Sequence, residues 1–364
     1  MLKLLRDEFL LLTLLALLPI LLWLSPASWA ELPELVNWQT IGALAGLMIL
    51  SRGLEESNGL ALAGQQLLRA ARSERMLAAA LVLFAAAIST VLTNDVALFI
   101  VVPLTLSLGP LIDLPLGRLV IFEALAVNAG SALSPIGNPQ NLFLWQSSGV
   151  GFLTFTLAML PLALGLVLLL LAAVPLGFSA RSLTLKSPAI RLRPDKKLLG
   201  LSLLLYPPML LLTELGRAPL AALIIGVLFL LLARRVLLGV DWLLLLVFVL
   251  MFIDLGLLAA LPVFADTSTR LESLPGGIFS AGVLLSQLIS NVPAAIFLQT
   301  FTPDWRLLAW GVSVGGFGLA IGSLANLIAL RLARQPRLWL EFHLWSLPAL
   351  LLGTALALIL LAAG

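Results

Sequence analysis

The stretch SALSPIGNPQNLF, residues 131–143, decides the fold, because it places helix-breaking and polar residues between two long apolar runs. It holds two prolines, one glycine, two asparagines and one glutamine. Proline removes a backbone hydrogen bond from a helix interior, and irregular backbone at membrane depth is tolerated only where it lines a cavity or packs within protein. The stretch therefore predicts a membrane helix that is interrupted near its middle.

The composition is that of an integral membrane protein. Of 364 residues, 61% are hydrophobic and 11% are charged, whereas a soluble domain carries roughly a quarter charged residues. The sequence contains no cysteine, which excludes disulfides and thiolate metal sites. His343 is the single histidine, which argues against a histidine-based zinc site.

Apolar runs of about the length that spans a bilayer, ~20 residues, predict about nine transmembrane helices. They lie at about 8–26, 37–51, 119–147, 152–178, 198–215, 218–233, 240–261, 307–330 and 343–362. Two further runs, 76–108 and 276–302, carry a polar cluster at half their length: STVLTND at 89–95, the first tip, and SQLISN at 286–291, the second tip. We expect each of these runs to be a re-entrant helical hairpin that enters and leaves the membrane on one side.

The distribution of Lys and Arg predicts the orientation in the membrane. If the N-terminus is cytoplasmic and each hairpin returns to its own side, 18 of the 21 basic residues lie in cytoplasmic segments, and only Arg217, Arg270 and Arg306 lie outside. Cytoplasmic loops are enriched in basic residues, so we expect an inner-membrane protein with a cytoplasmic N-terminus and an external C-terminus. SPASWA at 25–30 leaves a cleaved signal peptide as the alternative, but the many later spans favour an uncleaved first helix.

The predicted topology divides the chain into a first inverted repeat, 1–178, a basic cytoplasmic linker, 179–197, and residues 198–364, which hold the fifth span and a second inverted repeat. The first break, SALSPIGNPQN at 131–141, aligns with the second break, GFGLAIGSLAN at 316–326. The matched pairs in the breaks and tips are Ser89 and Ser286, Thr93 and Ser290, Asn94 and Asn291, Gly130 and Gly315, Gly137 and Gly322, and Asn141 and Asn326. Inverted repeats with interrupted helices are typical of secondary transporters, whose sites lie near the midplane of the membrane.

The tips and breaks carry the candidate substrate-binding and ion-binding residues. Where one helix ends and another begins, free carbonyl groups attract cations and free N–H groups attract anions. The alternative is that these polar residues only cap helices or join them to one another. The candidates are Ser89, Thr90, Thr93, Asn94 and Asp95 in the first tip; Ser131, Ser134, Gly137, Asn138, Gln140 and Asn141 in the first break; Ser286, Ser290 and Asn291 in the second tip; and Gly322, Ser323 and Asn326 in the second break.

Two acidic residues are candidates for ion coupling. Asp95 closes the first tip, and Asp254 lies near the middle of the seventh span. A carboxylate inside the membrane is costly and is a functional candidate by default. The alternatives are that Asp95 caps a helix and that Asp254 is the buried partner of a helix end. We expect Glu123, by contrast, to pair with Arg118 near the cytoplasmic side.

Four motifs give the chain a resemblance to a known superfamily. They are LTNDVALFIVVPL at 92–104, NAGSALSPIGNPQN at 128–141, SQLISNVPAAIFL at 286–298 and GSLAN at 322–326. The chain resembles the ion transporter superfamily, which contains the arsenite permeases, NhaD-type Na⁺/H⁺ antiporters, citrate–metal symporters and divalent-anion/sodium symporters. It is most similar to the short anion permeases of the arsenite-permease-like branch, over nearly the whole chain.

The resemblance implies a homodimer in which each protomer has a scaffold and a transport domain that moves like an elevator. The second tip reads Ser-Asn-Val where the symporters have Ser-Asn-Thr. By motif position, the resemblance implies a Na⁺ ion or one face of the substrate at Ser89, Thr93, Asn94 and Asn141, and the opposite face at Ser286, Ser290, Asn291 and Asn326.

The function that follows is secondary active transport across the membrane. We expect a small anion or oxyanion, or a neutral hydroxylated species, because no Lys or Arg lies in the tips or breaks. The coupling ion is Na⁺ or H⁺, and no other cofactor is expected. The alternative is a Na⁺/H⁺ antiporter that uses Asp95 or Asp254. Neither an enzyme nor a nucleic-acid partner is expected, because no base lies beside a nucleophile in a break and the basic runs are typical of membrane anchors.

Overall fold

The computed structural model describes residues 9–25, 29–108, 114–183, 193–335 and 337–363, and every regular element within these ranges is a helix. In chain order the helices are α1 (Phe9–Leu24), α2 (Leu32–Leu35), α3 (Trp38–Glu56), α4 (Gly59–Ala70), α5 (Glu74–Ser89), α6 (Asn94–Leu106), α7 (Leu116–Ser131), α8 (Pro139–Ser148), α9 (Phe152–Gly177), α10 (Lys196–Glu214), α11 (Ala218–Leu232), α12 (Arg234–Gly239), α13 (Trp242–Ala259), α14 (Thr267–Ser273), α15 (Gly277–Ile289), α16 (Asn291–Gln299), α17 (Trp305–Gly315), α18 (Leu324–Ala333) and α19 (Leu338–Ala363). Short 3-10 turns lie at Trp29–Glu31, Pro262–Phe264 and Ala320–Gly322. One isolated bridge joins Ser73 to Ser182.

The prediction of an all-α, polytopic membrane protein is confirmed. Among the described residues, four helices are long and apolar enough to cross a bilayer, namely α9, α10, α13 and α19. The apolar helices α1, α6, α11, α15 and α18 are shorter. A helix of 13 residues such as α6 is about 20 Å long, which is less than the ~30 Å hydrocarbon core. The exact number of spans and the inverted repeats stay predictions.

Helix interruptions occur at all four polar clusters. The first tip separates α5 from α6 and the second tip separates α15 from α16, while the first break separates α7 from α8 and the second break separates α17 from α18. Proline explains the start of α8, because Pro139 is its first residue, where a missing N–H costs nothing. At the second tip a single residue, Ser290, separates two helices and has a φ of 75°. The interruptions leave helix-end groups inside an otherwise apolar bundle.

The interrupted helices pack across one another at the centre of the structure. Helix α5 packs along α7, and α15 packs along α17 in the same way. The helix after each break contacts the other half of the chain, since α8 packs against α16 and α17, and α18 packs against α6 and α7. Both tips and both breaks are therefore brought into one central assembly.

A second group of helices lies beside this assembly. Helices α3, α10 and α11 pack against one another, and α13 packs against α1 and α16. Helices α3 and α11 approach closely at Gly42, where an added Cβ would lie 2.5 Å from the Pro219 backbone nitrogen. The Ser51 and Tyr206 hydroxyls share a buried hydrogen bond of 3.0 Å between α3 and α10. Lipid tails are as apolar as the side chains, so helices in a membrane have no hydrophobic driving force to associate. Close backbone packing and polar contacts between helices hold this group together instead.

Charged residues join three helices at one end of this second group. Arg235 contacts Asp195 at 2.9 Å and Glu56 at 3.5 Å, and Arg52 contacts Glu56 at 3.0 Å. Asp195 also caps α10 by accepting from the Leu198 N–H at 3.1 Å. This hydrogen bond and the nearby Arg235 lower the pKa of the Asp195 carboxyl. The network ties α3, α10 and α12 at the side where basic residues cluster.

The expected pair of Glu123 with Arg118 does not form. Arg118 contacts Glu341 of α19 at 2.8 Å and donates to the Gly177 carbonyl at 2.8 Å. Glu123 is fully buried and accepts a hydrogen bond from the Thr105 hydroxyl of α6. The two side chains are five positions apart on α7, so they do not share a helix face.

Some predicted features lie outside the described residues. They are Lys3 and Arg6 near the N-terminus, Lys186 and Arg191 in the basic linker, and part of the 25–30 stretch.

Candidate functional site

The first tip is a short turn, and most of its hydroxyls donate hydrogen bonds to carbonyls of the preceding helix. Ser89 is buried and donates to the Ala86 carbonyl at 2.9 Å, and Thr90 donates to the Ala87 carbonyl at 2.8 Å. Thr93 precedes α6 in an extended conformation, and its hydroxyl does not cap that helix. These contacts favour a helix-capping role for Ser89 and Thr90 in this state of the protein.

Asn94 and Asp95 begin α6 beside the first tip. Asn94 is buried, and its Oδ1 accepts from the Asp95 backbone N–H at 3.0 Å. Asp95 is only half-buried. An acidic residue in the first turn is stabilised by the positive end of the helix dipole. The position of Asp95 in the first turn of α6 agrees with the alternative that it stabilises the start of this helix.

Asparagine side chains hold the first break in shape. Asn138 caps α8 by accepting from the Asn141 N–H at 2.8 Å, while its Nδ2 donates to the Ser131 carbonyl at 3.0 Å. Asn141 Nδ2 donates to three carbonyls, those of Ser131 at 3.4 Å, Ala132 at 3.0 Å and Ser134 at 3.2 Å. The last carbonyls of α7 have no N–H partner within that helix. The carboxamide groups at the start of α8 donate hydrogen bonds to them instead.

Two carboxamide oxygens of the first break have no such partner. Among the residues that the structure describes, nothing donates a hydrogen bond to Asn141 Oδ1 or to Gln140 Oε1, and both atoms are buried. A buried acceptor without a donor is uncommon in folded proteins, so these two oxygens are candidates for contact with a water, an ion or a substrate.

Gly137 brings the first break against the first tip. A Cβ at this position would lie 2.4 Å from the Ser131 carbonyl oxygen and 2.8 Å from the Ser89 carbonyl oxygen. The Ser134 hydroxyl also donates to the Thr90 carbonyl. The predicted neighbourhood of first tip and first break is therefore present in the structure.

The second tip has a different construction. Ser286 donates to the Gly282 carbonyl at 2.6 Å, a bond within its own helix. Ser290 has φ 75° and ψ 156°, a region that is almost reserved for glycine, and such strain clusters at functional sites. Asn291 is buried at the start of α16. Its Nδ2 would lie 3.1 Å from a Cβ on Gly316, so this tip lies against the second break.

The second break is held by Asn326 and Ser323. Asn326 Nδ2 donates to the Gly316 carbonyl at 2.9 Å, as Asn141 does to Ser131 at the matched position. Ser323 caps α18 by accepting from the Ala325 N–H at 3.3 Å. Gly322 lies close to the Gly315 carbonyl, which an added Cβ would approach to 2.8 Å.

The matched glycines before the breaks make similar close approaches. A Cβ on Gly130 would lie 2.2 Å from the Ala86 carbonyl oxygen, and a Cβ on Gly315 would lie 2.5 Å from Ser286 Cβ. The helix before the break therefore packs closely on the helix before the tip, at Gly130 against the α5 backbone and at Gly315 against the Ser286 side chain of α15.

Asn128 is the principal residue that the prediction omitted. From α7 in the first half, its Nδ2 donates to the Gly316 carbonyl at 3.1 Å and to Asn326 Oδ1 at 2.8 Å. Its Oδ1 accepts from the Ser323 hydroxyl at 3.0 Å. Its presence in the NAGSALSPIGNPQN motif, three positions before Ser131, was the available signal.

Two further side chains support the second break from neighbouring helices. Gln287 donates to the Gly315 carbonyl at 2.7 Å and accepts from the Leu319 N–H at 2.8 Å. His343 Nε2 accepts from the Ala320 N–H at 3.2 Å. We predicted no role for Gln287, although it lies in the second tip, and no role in the site for His343.

Asp254 is buried without a partner. Neither carboxyl oxygen has a hydrogen-bond partner among the described residues, and the side chain is 2% exposed. The structure does not bring Asp254 into the hydrogen-bond networks of the breaks. A cavity of about 400 Å³ lies beside the same helix, lined by Phe143, Phe252 and Ile296 among others.

Neutral oxygens and amide groups dominate this assembly. No group of three or more His, Cys, Asp or Glu side chains that could hold a metal ion occurs in the described part of the chain. The arrangement suits a monovalent cation or a small polar substrate better than a transition metal, which prefers nitrogen and sulfur ligands.

An all-helical, polytopic membrane fold with polar helix breaks at its centre defines the class of the protein as a membrane transporter, and comparison with known proteins agrees. The chain belongs to the citrate transporter family CitMHS, whose model matches residues 2–315. It is 46% identical to the inner membrane protein YbiR of Escherichia coli strain K12 over 338 residues, which cover 93% of this chain and 90% of YbiR.

Two other relatives carry transporter names. The chain is 33% identical to the uncharacterized transporter MJ0456 of Methanocaldococcus jannaschii over 330 residues, 90% of each protein. A Dictyostelium discoideum protein named as transporter arsB is 30% identical over 125 residues, which cover 34% of this chain and 22% of that protein. The family and the names of these relatives indicate a transporter and not an enzyme.

Proposed function

We propose that the protein is a secondary active transporter of a small anion or oxyanion across the cytoplasmic membrane, coupled to Na⁺ or H⁺. The observation that carries the proposal is the convergence of both tips and both breaks in one central assembly, where Asn141 and Gln140 keep buried oxygens to which no described residue donates. Irregular backbone at membrane depth is tolerated where it lines a site or packs in protein. In secondary transporters, interrupted helices near the midplane of the membrane typically form the substrate and ion sites.

The chemistry of the breaks favours a compact substrate. The family description names citrate, but no Lys or Arg lies in the tips or breaks to neutralise a polyanion. Helix N-termini at α6, α8, α16 and α18 supply N–H groups and partial positive charge for an anion. A small oxyanion, or a neutral hydroxylated species such as arsenious acid, matches donors of this kind.

The larger architecture follows from the same proposal. The two runs that carry the tips form re-entrant hairpins, and the two halves form inverted repeats around the site. The hairpins and interrupted helices form a transport domain that moves against a scaffold of α3, α10 and α11, in a homodimer. The N-terminus is cytoplasmic and the C-terminus external, which places 18 of 21 basic residues inside.

A thermal-shift screen of the purified protein tests this function. Ligands that bind only the folded state raise its stability by mass action. Arsenite, sulfate, phosphate and citrate are added in Na⁺ and in choline buffers, and at two pH values. At least one member of the panel is expected to raise the melting temperature of the wild type and not that of Asn141→Ala. A panel without any shift contradicts the proposal.

A second candidate function is Na⁺/H⁺ antiport, which two carboxyl groups favour. Asp254 is buried without a hydrogen-bond partner in the described part of the chain, and Asp95 is half-buried at the first tip. Solid-supported-membrane currents from proteoliposomes distinguish the two functions. Antiport predicts a current after a Na⁺ or pH jump with no substrate anion, which Asp95→Asn or Asp254→Asn abolishes. If both variants keep transport and its pH dependence, carboxylate coupling is excluded.

A further inference from the structure

A basic cavity lies where α10 begins and α11 passes into α12. It has a volume of about 630 Å³, and Lys197, Arg234 and Arg235 line its polar side. Small-molecule sites occupy roughly 300–1,000 Å³, so the volume is sufficient for a ligand. The described lining residues fall within 195–201 and 232–235. The basic cavity is therefore separate from both tips and both breaks.

Two of the three cationic side chains of the basic cavity are available to a ligand. Arg235 is engaged, since it contacts Asp195 at 2.9 Å and Glu56 at 3.5 Å. Lys197 and Arg234 are exposed, and their side chains make no ion pair or hydrogen bond with any described residue. Because Asp195, the acidic residue of the lining, is already paired with Arg235, two positive charges on the wall are left for an anion.

The other side of the basic cavity is apolar. Leu198, Leu201 and Leu232 line it. Leu232 is 66% exposed, and its neighbour Leu231 is 74% exposed. A soluble anion gains nothing from a leucine wall, whereas the acyl chain of a lipid buries apolar surface there. Cationic and apolar walls in one cavity match a molecule that carries both a phosphate and a hydrocarbon chain.

The basic cavity lies at the level where lipid headgroups are found. Helix α10 is long and apolar enough to cross a bilayer and begins at Lys196, while the apolar helix α11 ends at Leu232, just before Arg234. Trp242 is exposed, and its Nε1 donates to the Leu237 carbonyl of α12 at 2.9 Å. Tryptophan is enriched at the boundary between membrane and water. The cavity is thus at the end of the hydrocarbon-spanning helices and beside an interfacial tryptophan.

We propose that the basic cavity binds one anionic phospholipid, with the headgroup phosphate between Lys197 and Arg234 and an acyl chain along Leu201 and Leu232. Basic pockets between membrane helices bind anionic headgroups. The bound lipid joins α10 to α11 and α12 and so stabilises the second group of helices. Its binding is independent of the substrate and of the coupling ion proposed above.

The test titrates lipids into the delipidated, full-length protein in detergent. Native mass spectrometry counts the dioleoylphosphatidylglycerol retained by each chain, and dioleoylphosphatidylcholine is the zwitterionic reference with the same acyl chains. We expect tighter retention of phosphatidylglycerol, together with a rise in melting temperature. Equal retention of the two lipids overturns the proposal. Equal stabilisation by glycerol phosphate, which has no acyl chain, also overturns it and assigns the cavity to a soluble anion.

Variants of the cationic wall locate the headgroup. Lys197→Ala and Arg234→Ala each weaken phosphatidylglycerol binding about fivefold, and the double variant weakens it about 25-fold. Their melting temperatures without lipid are unchanged, because neither side chain has a partner among the described residues. Lys196→Ala is the matched control, since Lys196 is adjacent, exposed and equally charged but does not line the cavity. Equal weakening by Lys196→Ala and Lys197→Ala overturns the proposal.

A substitution on the apolar wall locates the acyl chain. Leu201→Trp fills this side of the cavity and leaves Lys197 and Arg234 in place. We expect its preference for phosphatidylglycerol over phosphatidylcholine to be lost, with an unchanged melting temperature in the absence of lipid. An unchanged preference in a folded Leu201→Trp protein overturns the proposal, because the lipid then binds elsewhere.

Discussion

Asn128 Nδ2 lies 2.8 Å from Asn326 Oδ1 and so joins the helix before the first break to the helix after the second. The two residues are 198 positions apart. The same carboxamide also bonds Gly316 and Ser323. A fully satisfied polar network inside an apolar bundle rigidifies the elements it joins. The two breaks are therefore held as one body, as the proposed transport domain requires.

Replacement of Asn128 tests this connection. Asn128→Ala leaves Asn326 Oδ1 without its donor and the Ser323 hydroxyl without its acceptor, while the Gly316 carbonyl keeps its bond from Asn326 Nδ2. Each buried group left unsatisfied costs about 1–3 kcal/mol, so we expect a clearly lower melting temperature and loss of transport. Thermal unfolding in detergent measures the first effect and proteoliposome uptake the second. A variant with the wild-type melting temperature would show that the network is dispensable.

Gly137 tests the contact between the first break and the first tip. In Gly137→Ala the new Cβ meets the Ser131 and Ser89 carbonyl oxygens at 2.4 and 2.8 Å, so the backbone must move. We expect transport to be lost even if the protein still folds. Gly200→Ala is the matched control, because nothing lies within 4 Å of a Cβ there and alanine favours a helix. Equal uptake by the two variants contradicts the assigned geometry.

Two substitutions of Asn138 separate its two roles. The side chain caps α8 through its oxygen and bonds Ser131 through its nitrogen. Asn138→Ala removes both contacts, and loss of the cap alone costs about 1 kcal/mol. Asn138→Ser keeps a capping oxygen and loses the Nδ2 donor, so we expect its melting temperature to lie between those of Asn138→Ala and the wild type. If the two variants unfold at the same temperature, the cap does not stabilise α8.

Ser290 tests whether the second tip stores strain. Its φ of 75° is unfavourable for serine and ordinary for glycine. Ser290→Gly relieves a cost of about 1–3 kcal/mol, less the extra flexibility of glycine in the unfolded chain. We expect a higher melting temperature together with weaker substrate or ion binding, because the hydroxyl is lost. A lower melting temperature would mean that the serine conformation is not strained.

The interruptions of the helices were predictable from local signals. Pro135, Gly137 and Pro139 lie within five positions and together disfavour a continuous helix, and the polar tips stand out in an apolar chain. The contacts between distant residues were not predictable in this way. Glu123 lies within one and a half helical turns of Arg118, but Arg118 pairs with Glu341, 223 positions later. Partner choice across helices depends on packing, which local sequence does not encode.

The partners within the site show the same limit. Asn141 and Asn326 were found because they are matched in the breaks, whereas Asn128 lies inside an apolar helix and carries no periodic signal. Its bonds to Gly316, Asn326 and Ser323 depend on the packing of the two halves of the chain, which local sequence does not encode.

Uptake into proteoliposomes tests the central claim most directly. Wild type and Asn141→Ala are reconstituted at equal density, and arsenite, sulfate, phosphate and citrate are offered with and without an inward Na⁺ or pH gradient. The account predicts that the wild type accumulates at least one of these substrates only when a gradient is imposed, and that Asn141→Ala accumulates none. Ion movement driven by a Na⁺ or pH jump with no substrate present, and no uptake of any member of the panel, would contradict it.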